Sequence, residues 1–443
     1  MISDALMSSL NDFVSSKMGL CFPEDKRKDL ESAILEAYGE LGFKDAESCI
    51  KRLISCEPTR KQIEILANHL TIGETYFFRD KEVFCTLEQH VLPDLIFSRK
   101  KSRYLRIWSA GCSSGEEAYS VAMLLSRMLP DISDWNITIL ATDINYILLE
   151  KGRKGVYTNW SFRSTPESIY MYFKQTREGF EIKEYLKKMI TFNYLNLAED
   201  IYPSVLNNTN AMDIILCRNV LMYFKPDAAK KVLERLYLCL VDGGLLAITP
   251  AEASHFITPK FTKINLYETI LYKKEKEMAV RPVSAHIKIT APPVDAPLFV
   301  PSVTPSVLAV KEKKSGAFDE ALILANQGKL DEARAICKKA IDCDKLNPLS
   351  HYLNAIISQE LGDKRTAIAS FRRAIYLDKD FILAYFSLGN LLDREGKTLE
   401  AKKCFDNTLL LLSKLTPNEA LPASEGITAG RLSQIVNSLK VKP

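Results

Sequence analysis

Five short runs of β-forming residues alternate with helical patterns in the middle of the chain, and this alternation restricts the possible folds more than any other feature of the sequence. Helical patterns such as those at 117–128 and 227–240 separate the runs. Strands that alternate with helices normally pair in parallel and carry helices on both faces of the sheet. The sequence therefore predicts an α/β domain with a mostly parallel sheet, closed by two further strands at 261–264 and 269–272, the last one antiparallel. The five runs cover residues 104–109, 137–141, 189–193, 212–216 and 245–249.

The chain on either side of these runs has a different pattern. Residues 1–70 place apolar side chains at helical spacing and predict a small helical domain. The α/β domain is expected to cover 71–273, with a small β insertion at 172–188, where apolar and charged residues alternate. Residues 274–314 contain clustered prolines without a helical period, which is typical of a linker.

Beyond the linker, the segments GKLDEA, GDKRTA and GKTLEA begin at residues 328, 362 and 396, so both intervals are 34 residues. Each segment ends in an alanine where two helices must approach closely. Residues 315–415 therefore resemble tetratricopeptide repeats, and 416–443 follow as a C-terminal tail. The resemblance implies stacked helical hairpins that bind a protein or peptide not identified by the sequence; an unrelated helical bundle is the alternative.

Composition excludes several classes of protein. The chain has 443 residues, 47% of them hydrophobic, so it is not disordered. Its net charge of +4 arises from 59 basic and 55 acidic residues, a balance that gives no reason to expect a nucleic-acid partner. No apolar run reaches the length of a membrane span, and the first residues lack the pattern of a signal peptide. Ten cysteines without a CxxC pair and five scattered histidines predict reduced thiols, no metal site and a cytoplasmic location.

The turn after the first strand, SAGCSSGEE at 109–117, is unusual for a phosphate-binding loop because two carboxylates follow its glycines. Asp143 ends the second strand, where an acidic side chain can accept hydrogen bonds from the two hydroxyls of a ribose. A nucleoside with a cationic group fits both features, and S-adenosylmethionine is such a molecule. Glu116 or Glu117 could lie near its ammonium group; alternatively, the glutamates only complement the helix dipole.

Four further segments make the comparison specific: TIGETYFFRD at 71–80, TFNYLNL at 191–197, DIILCRNVLMYF at 213–224 and LVDGGLLAITPAE at 240–252. Together with the glycine turn, they resemble the CheR-type chemotaxis-receptor glutamate methyltransferases. The resemblance covers residues 1–273 and implies a Rossmann-like domain that binds S-adenosylmethionine, preceded by a helical domain. It implies methyl esterification of glutamates on the cytoplasmic domain of a chemoreceptor, with S-adenosylhomocysteine as the second product. Some members of this family carry C-terminal tetratricopeptide repeats.

The resemblance also implies a role for each matching residue. Thr75 and Arg79 would contact the cofactor, and Arg218, Asn219 and Tyr223 would lie beside the transferred methyl group. We expect Arg79 and Tyr223 to be catalytic residues that orient the methionine portion or the incoming carboxylate. The chain departs from the family at Gly73, where asparagine is usual, and at TPAE, 249–252, where the family commonly has GHSE. The expected cofactor-binding residues are Gly73, Thr75, Arg79, Gly111, Gly115, Glu117, Asp143, Asn196, Leu197, Arg218 and Asn219.

Two other functions remain open at this stage. If the departures mark lost catalysis, the protein would be a cofactor-binding scaffold that acts through its repeats. A small-molecule methyltransferase is the other alternative, although the helical domain and the repeats make it less favoured. The short loop of the β insertion, KQTREG at 174–179, argues against binding of a tethered receptor peptide.

Overall fold

The computed structural model describes residues 2–163, 165–256, 259–266, 269–275, 316–417, 419, 421–422 and 428–440. The predicted linker, apart from its first two residues, lies outside this part of the chain. None of the helices in the described ranges combines the length and the apolar character needed to cross a membrane.

Four helices form the N-terminal part: α1 (Asp4–Met18), α2 (Arg27–Ala37), α3 (Ala46–Ser55) and α4 (Arg60–Leu70). Side-chain caps start three of them, because Ser3, Asp45 and Thr59 accept hydrogen bonds from the exposed backbone N–H groups of the first turns. Their apolar faces share one core with one face of the sheet. The helices are therefore packed onto the α/β domain.

The main sheet has seven strands in the order β6-β2-β1-β7-β8-β10-β9. β10 is antiparallel to both of its neighbours, whereas the other strands pair in parallel, so the predicted fold class is confirmed. The five strands that pair in parallel are β1 (Tyr104–Ala110), β2 (Asn136–Asp143), β6 (Ile190–Tyr194), β7 (Met212–Leu216) and β8 (Leu240–Ala247), and the antiparallel end of the sheet consists of β9 (Phe261–Leu266) and β10 (Thr269–Lys274).

The helices around this sheet are α5 (Lys81–Thr86), α6 (Leu92–Arg99), α7 (Glu116–Met128), α8 (Tyr146–Lys154), α10 (Pro226–Cys239) and α11 (Pro250–Phe256). A π-helical turn at Leu87–Val91 separates α5 from α6. The insertion is a second sheet of β3 (Val156–Tyr157), β4 (Phe173–Thr176) and β5 (Gly179–Ile182), followed by the short α9 (Glu184–Lys187). The predicted hairpin thus pairs with a third strand that precedes it in the chain.

The C-terminal region is all-helical, as the sequence predicts. Its helices are α12 (Gly316–Asn326), α13 (Leu330–Cys343), α14 (Pro348–Glu360), α15 (Lys364–Leu377), α16 (Ile382–Arg394), α17 (Thr398–Leu412) and α18 (Ala429–Lys440). Ala333, Ala367 and Ala401 are buried between paired helices, where a larger side chain would separate them. The glycines at 328, 362 and 396 have φ values of 76°, 76° and 74°, which close the turn within each pair.

Gly115 tests how tightly the glycine turn is packed. Its φ is +90°, and a Cβ there would lie 2.7 Å from Cζ of the buried Phe192. Gly243 has a similar φ of +81° but open space around it. Both alanine variants should lose about 1 kcal/mol to the left-handed backbone, and Gly115→Ala should lose about 1–3 kcal/mol more through overpacking. Urea unfolding of the two variants measures this difference, and equal losses would contradict it.

Candidate active site

A pocket opens at the carboxyl ends of β1, β2 and β7. The chain order of the strands reverses between β1 and β7, and such a switch leaves a crevice for ligands. Ten of the twelve expected site residues line this pocket, and Gly73 and Gly115 do not. The ten are Thr75, Arg79, Gly111, Glu117, Asp143, Asn196, Leu197, Arg218, Asn219 and Tyr223.

The glycine turn is fixed by the neighbouring strand. The N–H groups of Gly111 and Cys112 both donate to the carbonyl oxygen of Thr142, at 2.8 and 2.9 Å. Gly111 has a φ of +79°, and a Cβ there would lie 2.4 Å from a methyl carbon of Val220. Only glycine therefore fits where the turn passes the loop after β7.

Asp143 stands at the end of β2 and is held by the backbone. One carboxylate oxygen accepts from the N–H of Ser113 and the other from the N–H of Asn145, both at 2.8 Å. Burial raises the pKa of Asp143, and these hydrogen bonds oppose the shift. Each oxygen keeps a lone pair that can accept from a ligand hydroxyl.

The two glutamates of the first turn of α7 have different surroundings. Glu116 is buried and accepts from the hydroxyls of Ser114 and Ser161, and burial raises its pKa. Glu117 lines the pocket, where one oxygen accepts from the Ser109 hydroxyl at 2.6 Å. Of the two carboxylates, Glu117 is therefore the one that lines the pocket, and Glu116 is buried behind it.

Arg218 connects three parts of the site. Its buried guanidinium donates to Glu117 Oε2 at 3.0 Å, to the carbonyl oxygen of Arg79 at 2.7 Å and to Asp80. Most of its hydrogen-bonding capacity is thus used within the protein. Its main effect is to fix Glu117 and the 79–80 turn relative to β7.

Gly73, where the chain departs from the family pattern, is closely packed and contributes a backbone contact. Its carbonyl oxygen accepts from the Ser113 hydroxyl at 3.1 Å, and a Cβ there would lie 2.8 Å from Cδ1 of Leu148. A larger residue would have to displace that leucine, which itself lines the pocket. The chain therefore contributes backbone, with no side chain, at this position.

Arg79 and Tyr223 both line the pocket. Arg79 donates to the carbonyl oxygen of Glu74 at 2.8 Å. Arg163 contacts the same segment, residues 74–79, at two points. It forms an ion pair with Glu74, and its guanidinium carbon lies 4.0 Å from the ring centroid of Tyr76. Tyr223 ends the 3-10 turn Leu221–Tyr223, and the carbonyl oxygen of Tyr223 accepts from the N–H of Cys21.

Glu252 explains why the 249–252 loop matters despite its unusual sequence. The carboxylate is buried and accepts from the N–H groups of Asn219, Val220 and Leu221 at 3.2, 2.7 and 2.8 Å. It also accepts from the N–H and the hydroxyl of Thr249. The side chain therefore shapes the turn that carries Asn219 and Tyr223, while Asn219 itself has a positive φ of 59°.

Sequence reasoning missed one wall of the pocket. Helical periodicity assigns the N-terminal residues to a separate domain and gives no sign that they reach the site. The N-terminal segment reaches the site through a contact with Phe224, which follows β7. Phe224 pairs with Leu20 in an isolated bridge and fills the space beside Gly19. The N-terminal residues in the wall are Met18, Leu20, Cys21, Phe22, Lys26, Asp29, His69 and Leu70.

Comparison with known proteins agrees with this geometry. Residues 73–270 match the family described as CheR methyltransferase, SAM binding domain, and residues 350–381 match a tetratricopeptide repeat. A chemotaxis protein methyltransferase of Borreliella burgdorferi is 34% identical over 252 residues, which cover 56% of this chain and 87% of that protein. The chain belongs to the CheR methyltransferase family.

Two other relatives show how far the similarity extends. Chemotaxis protein methyltransferase 2 of Vibrio cholerae is 29% identical, covering 59% of this chain and 89% of that protein. The probable biofilm formation methyltransferase WspC of Pseudomonas aeruginosa is 27% identical over 88% of this chain and 95% of its own length. The similarity to WspC therefore includes most of the repeat region.

S-adenosylmethionine is the methyl donor of this family domain, and the residues of the pocket fit it. Asp143 offers acceptors that suit ribose hydroxyls, Glu117 offers a carboxylate that suits a cationic group, and Leu197 adds apolar surface. When bound, the cofactor supplies an electrophilic methyl group on a sulfonium. Site roles of individual residues, including Asn196 and Thr75, stay predictions.

Replacing Glu252 tests its role in shaping the loop. Glu252→Gln puts an amide N–H₂ among donors, so we expect a loss of about 2 kcal/mol in the free energy of unfolding and weaker cofactor binding. Urea unfolding and calorimetric titration with S-adenosylhomocysteine measure the two effects. Glu234→Gln, an exposed change on α10, is the control. Unchanged binding by Glu252→Gln would contradict the proposed role.

Burial of Glu116 predicts a pH-dependent effect on stability. Because its folded pKa is raised, the folded protein keeps this proton to higher pH than the unfolded chain, whose glutamate titrates near about 4.3. Stability should therefore fall as pH rises from that value through the folded pKa, and stay level above it. Glu116→Gln should lack this decline. Unfolding of both proteins between about pH 4 and pH 8 measures the difference, and parallel curves would contradict it.

Proposed function

We propose that this protein transfers the methyl group of S-adenosylmethionine to glutamate side chains on the cytoplasmic domain of a chemoreceptor or related sensory protein. The observation that carries the proposal is the convergence of Arg79 and Tyr223 on the pocket that contains Asp143 and Glu117. The names of the chemotaxis relatives support the same substrate class. S-adenosylhomocysteine is the second product.

The reaction requires little acid or base chemistry. A glutamate side chain has an ordinary pKa near about 4.3 and is ionised at neutral pH, so no base is needed to form the nucleophile. The carboxylate is weakly nucleophilic and well hydrated, and the site must align it with the methyl group and remove water. Arg79 supplies a cation for the incoming carboxylate or for the carboxylate of the methionine portion, and Tyr223 supplies a hydroxyl beside it.

The wall formed by the N-terminal helices favours a protein substrate. Lys26 and Asp29 at the start of α2 line the same pocket as the loops that follow β1 and β7, so an incoming side chain meets both domains. Lys26 Nζ lies 5.8 Å from the ring centroid of Tyr223. We infer that the receptor docks across this mouth.

The other parts of the chain have proposed roles as well. The loop between β4 and β5 has only two residues, Arg177 and Glu178. This short loop supports the prediction that the β insertion does not bind a tethered receptor peptide. The repeats bind a further protein. We assign the domains to 1–70, 71–273 and 315–415, with a linker at 274–314 and a tail at 416–443, and place the protein in the cytoplasm with its receptor.

Substitution of the two proposed catalytic residues tests this function. With saturating labelled methyl donor and receptor fragments, the single-turnover rate should fall by about 100-fold in Arg79→Ala and clearly in Tyr223→Phe, because alignment of the carboxylate is lost. Arg365→Ala and Tyr376→Phe, both exposed in the repeats, are matched controls. Unchanged rates in both pocket variants would overturn the roles assigned to Arg79 and Tyr223.

The same assay separates the alternatives. Base-labile label on the receptor fragment supports an ester of glutamate. Cofactor binding without transfer would favour the scaffold, and label that appears only in a soluble metabolite would favour a small-molecule methyltransferase.

A further inference from the structure

The repeats contact the methyltransferase domain at the edge of the sheet opposite the cofactor pocket. We call this edge the amino edge; it consists of Tyr104, Arg106, Asn136, Thr191 and the loop at 203–211. Tyr104 and Asn136 are the first residues of β1 and β2, whereas Gly111 and Asp143 lie at the other ends. Seven residues of strand separate the two edges by about 20 Å.

One position of the repeat provides the contact three times. Asn326, Glu360 and Arg394 are 34 residues apart, and each lies two residues before its turn glycine. Asn326 Oδ1 accepts from the N–H of Val205 at 2.6 Å. Arg394 donates to the Thr191 hydroxyl at 2.8 Å. Glu360, between them, binds Arg106. Three different side chains at an equivalent position thus meet three different parts of one edge.

The central contact is a buried ion pair. The side chain of Arg106 is 0% exposed and that of Glu360 is 9% exposed. Glu360 also accepts from the Tyr104 hydroxyl at 3.0 Å, and its carbonyl oxygen accepts from the Asn136 side chain at 3.3 Å. The remaining donors of Arg106 are used by the carbonyl oxygens of Asn208 and Asn210, at 2.9 and 3.1 Å. Because the buried charge of Arg106 is separated from water, removal of any one of these partners would strongly destabilise the contact.

Apolar packing accompanies the polar contacts. Val205 is buried within the hydrophobic core of the repeats, although it belongs to the methyltransferase domain. A Cβ on Gly328 would lie 2.5 Å from Cβ of Ala211, so the first turn of the repeats has room only for glycine against this loop. The Asn210 side chain donates to the carbonyl oxygen of Ala325 at 3.0 Å.

We propose that the repeat domain binds its own methyltransferase domain through this recurring position, with the pair of Glu360 and Arg106 as the contact that determines specificity. The amino edge is then the resident partner of the repeats, and the cofactor pocket stays open on the opposite side. A further protein binds to other surfaces of the repeats, or displaces the amino edge. This interface does not depend on which substrate is methylated.

A cleavable full-length protein tests the proposal. A protease site is placed within 276–315, the chain is folded intact and then cut, and association of the two pieces is measured by gel filtration and by titration at micromolar concentration. The cut wild-type pieces should stay together. Glu360→Gln and Glu360→Arg should weaken their association by about 30-fold or more, since Arg106 then lies buried without its partner. Arg394→Glu should have a smaller effect.

Glu332→Arg, a charge reversal at an exposed position of α13, is the control and should behave as wild type. Far-UV circular dichroism shows whether each variant keeps its helices, and Glu360→Gln retains the shape of the side chain in case the reversal does not fold. Separation of the wild-type pieces after cutting would overturn the proposal. Association of both Glu360 variants at the strength of the control would overturn it as well.

Discussion

The parallel pairing of β1 with β2 on one side and β7 on the other is the constraint on which the rest of the structure depends. Because the chain order reverses beside β1, the loops after β1 and β7 separate and leave the crevice that becomes the pocket. Gly111 and Asp143 enter the site only because their strands end at the same edge. The same pairing brings the first residues of β1 and β2 to the opposite edge, where the repeats are attached.

Buried charges fix both ends of β1 and its neighbours. At the cofactor end, Arg218 is balanced by Glu117 and Asp80, and Glu252 is balanced by backbone N–H groups and Thr249. At the other end, Arg106 is balanced by Glu360. Ionised groups in such places are tolerated when their hydrogen bonds are complete, and each one ties together segments that are distant in sequence. These contacts place residues of the pocket and of the repeat interface where local sequence preferences alone would not.

The surroundings of the two departures from the family pattern show what each position contributes to the site. Gly73 acts through its carbonyl oxygen and leaves space for Leu148. The TPAE segment keeps Glu252, the one side chain in it that holds the loop of Asn219. At both departures the chain keeps a contact that supports the pocket: the Gly73 carbonyl oxygen accepts from Ser113, and the Glu252 carboxylate accepts from the N–H groups of the 219–221 turn.

The sequence by itself determined the fold class, the 34-residue repeat and the strand ends that carry Gly111 and Asp143, because hydrophobic periodicity and turn residues are local properties. It also supplied most residues of the pocket through family motifs. Only the tertiary structure decided that Lys26 and His69 complete the wall of the pocket, and that Glu360 meets Arg106. Those outcomes depend on contacts between segments far apart in the chain, and no local pattern encodes which distant partner a buried side chain will find.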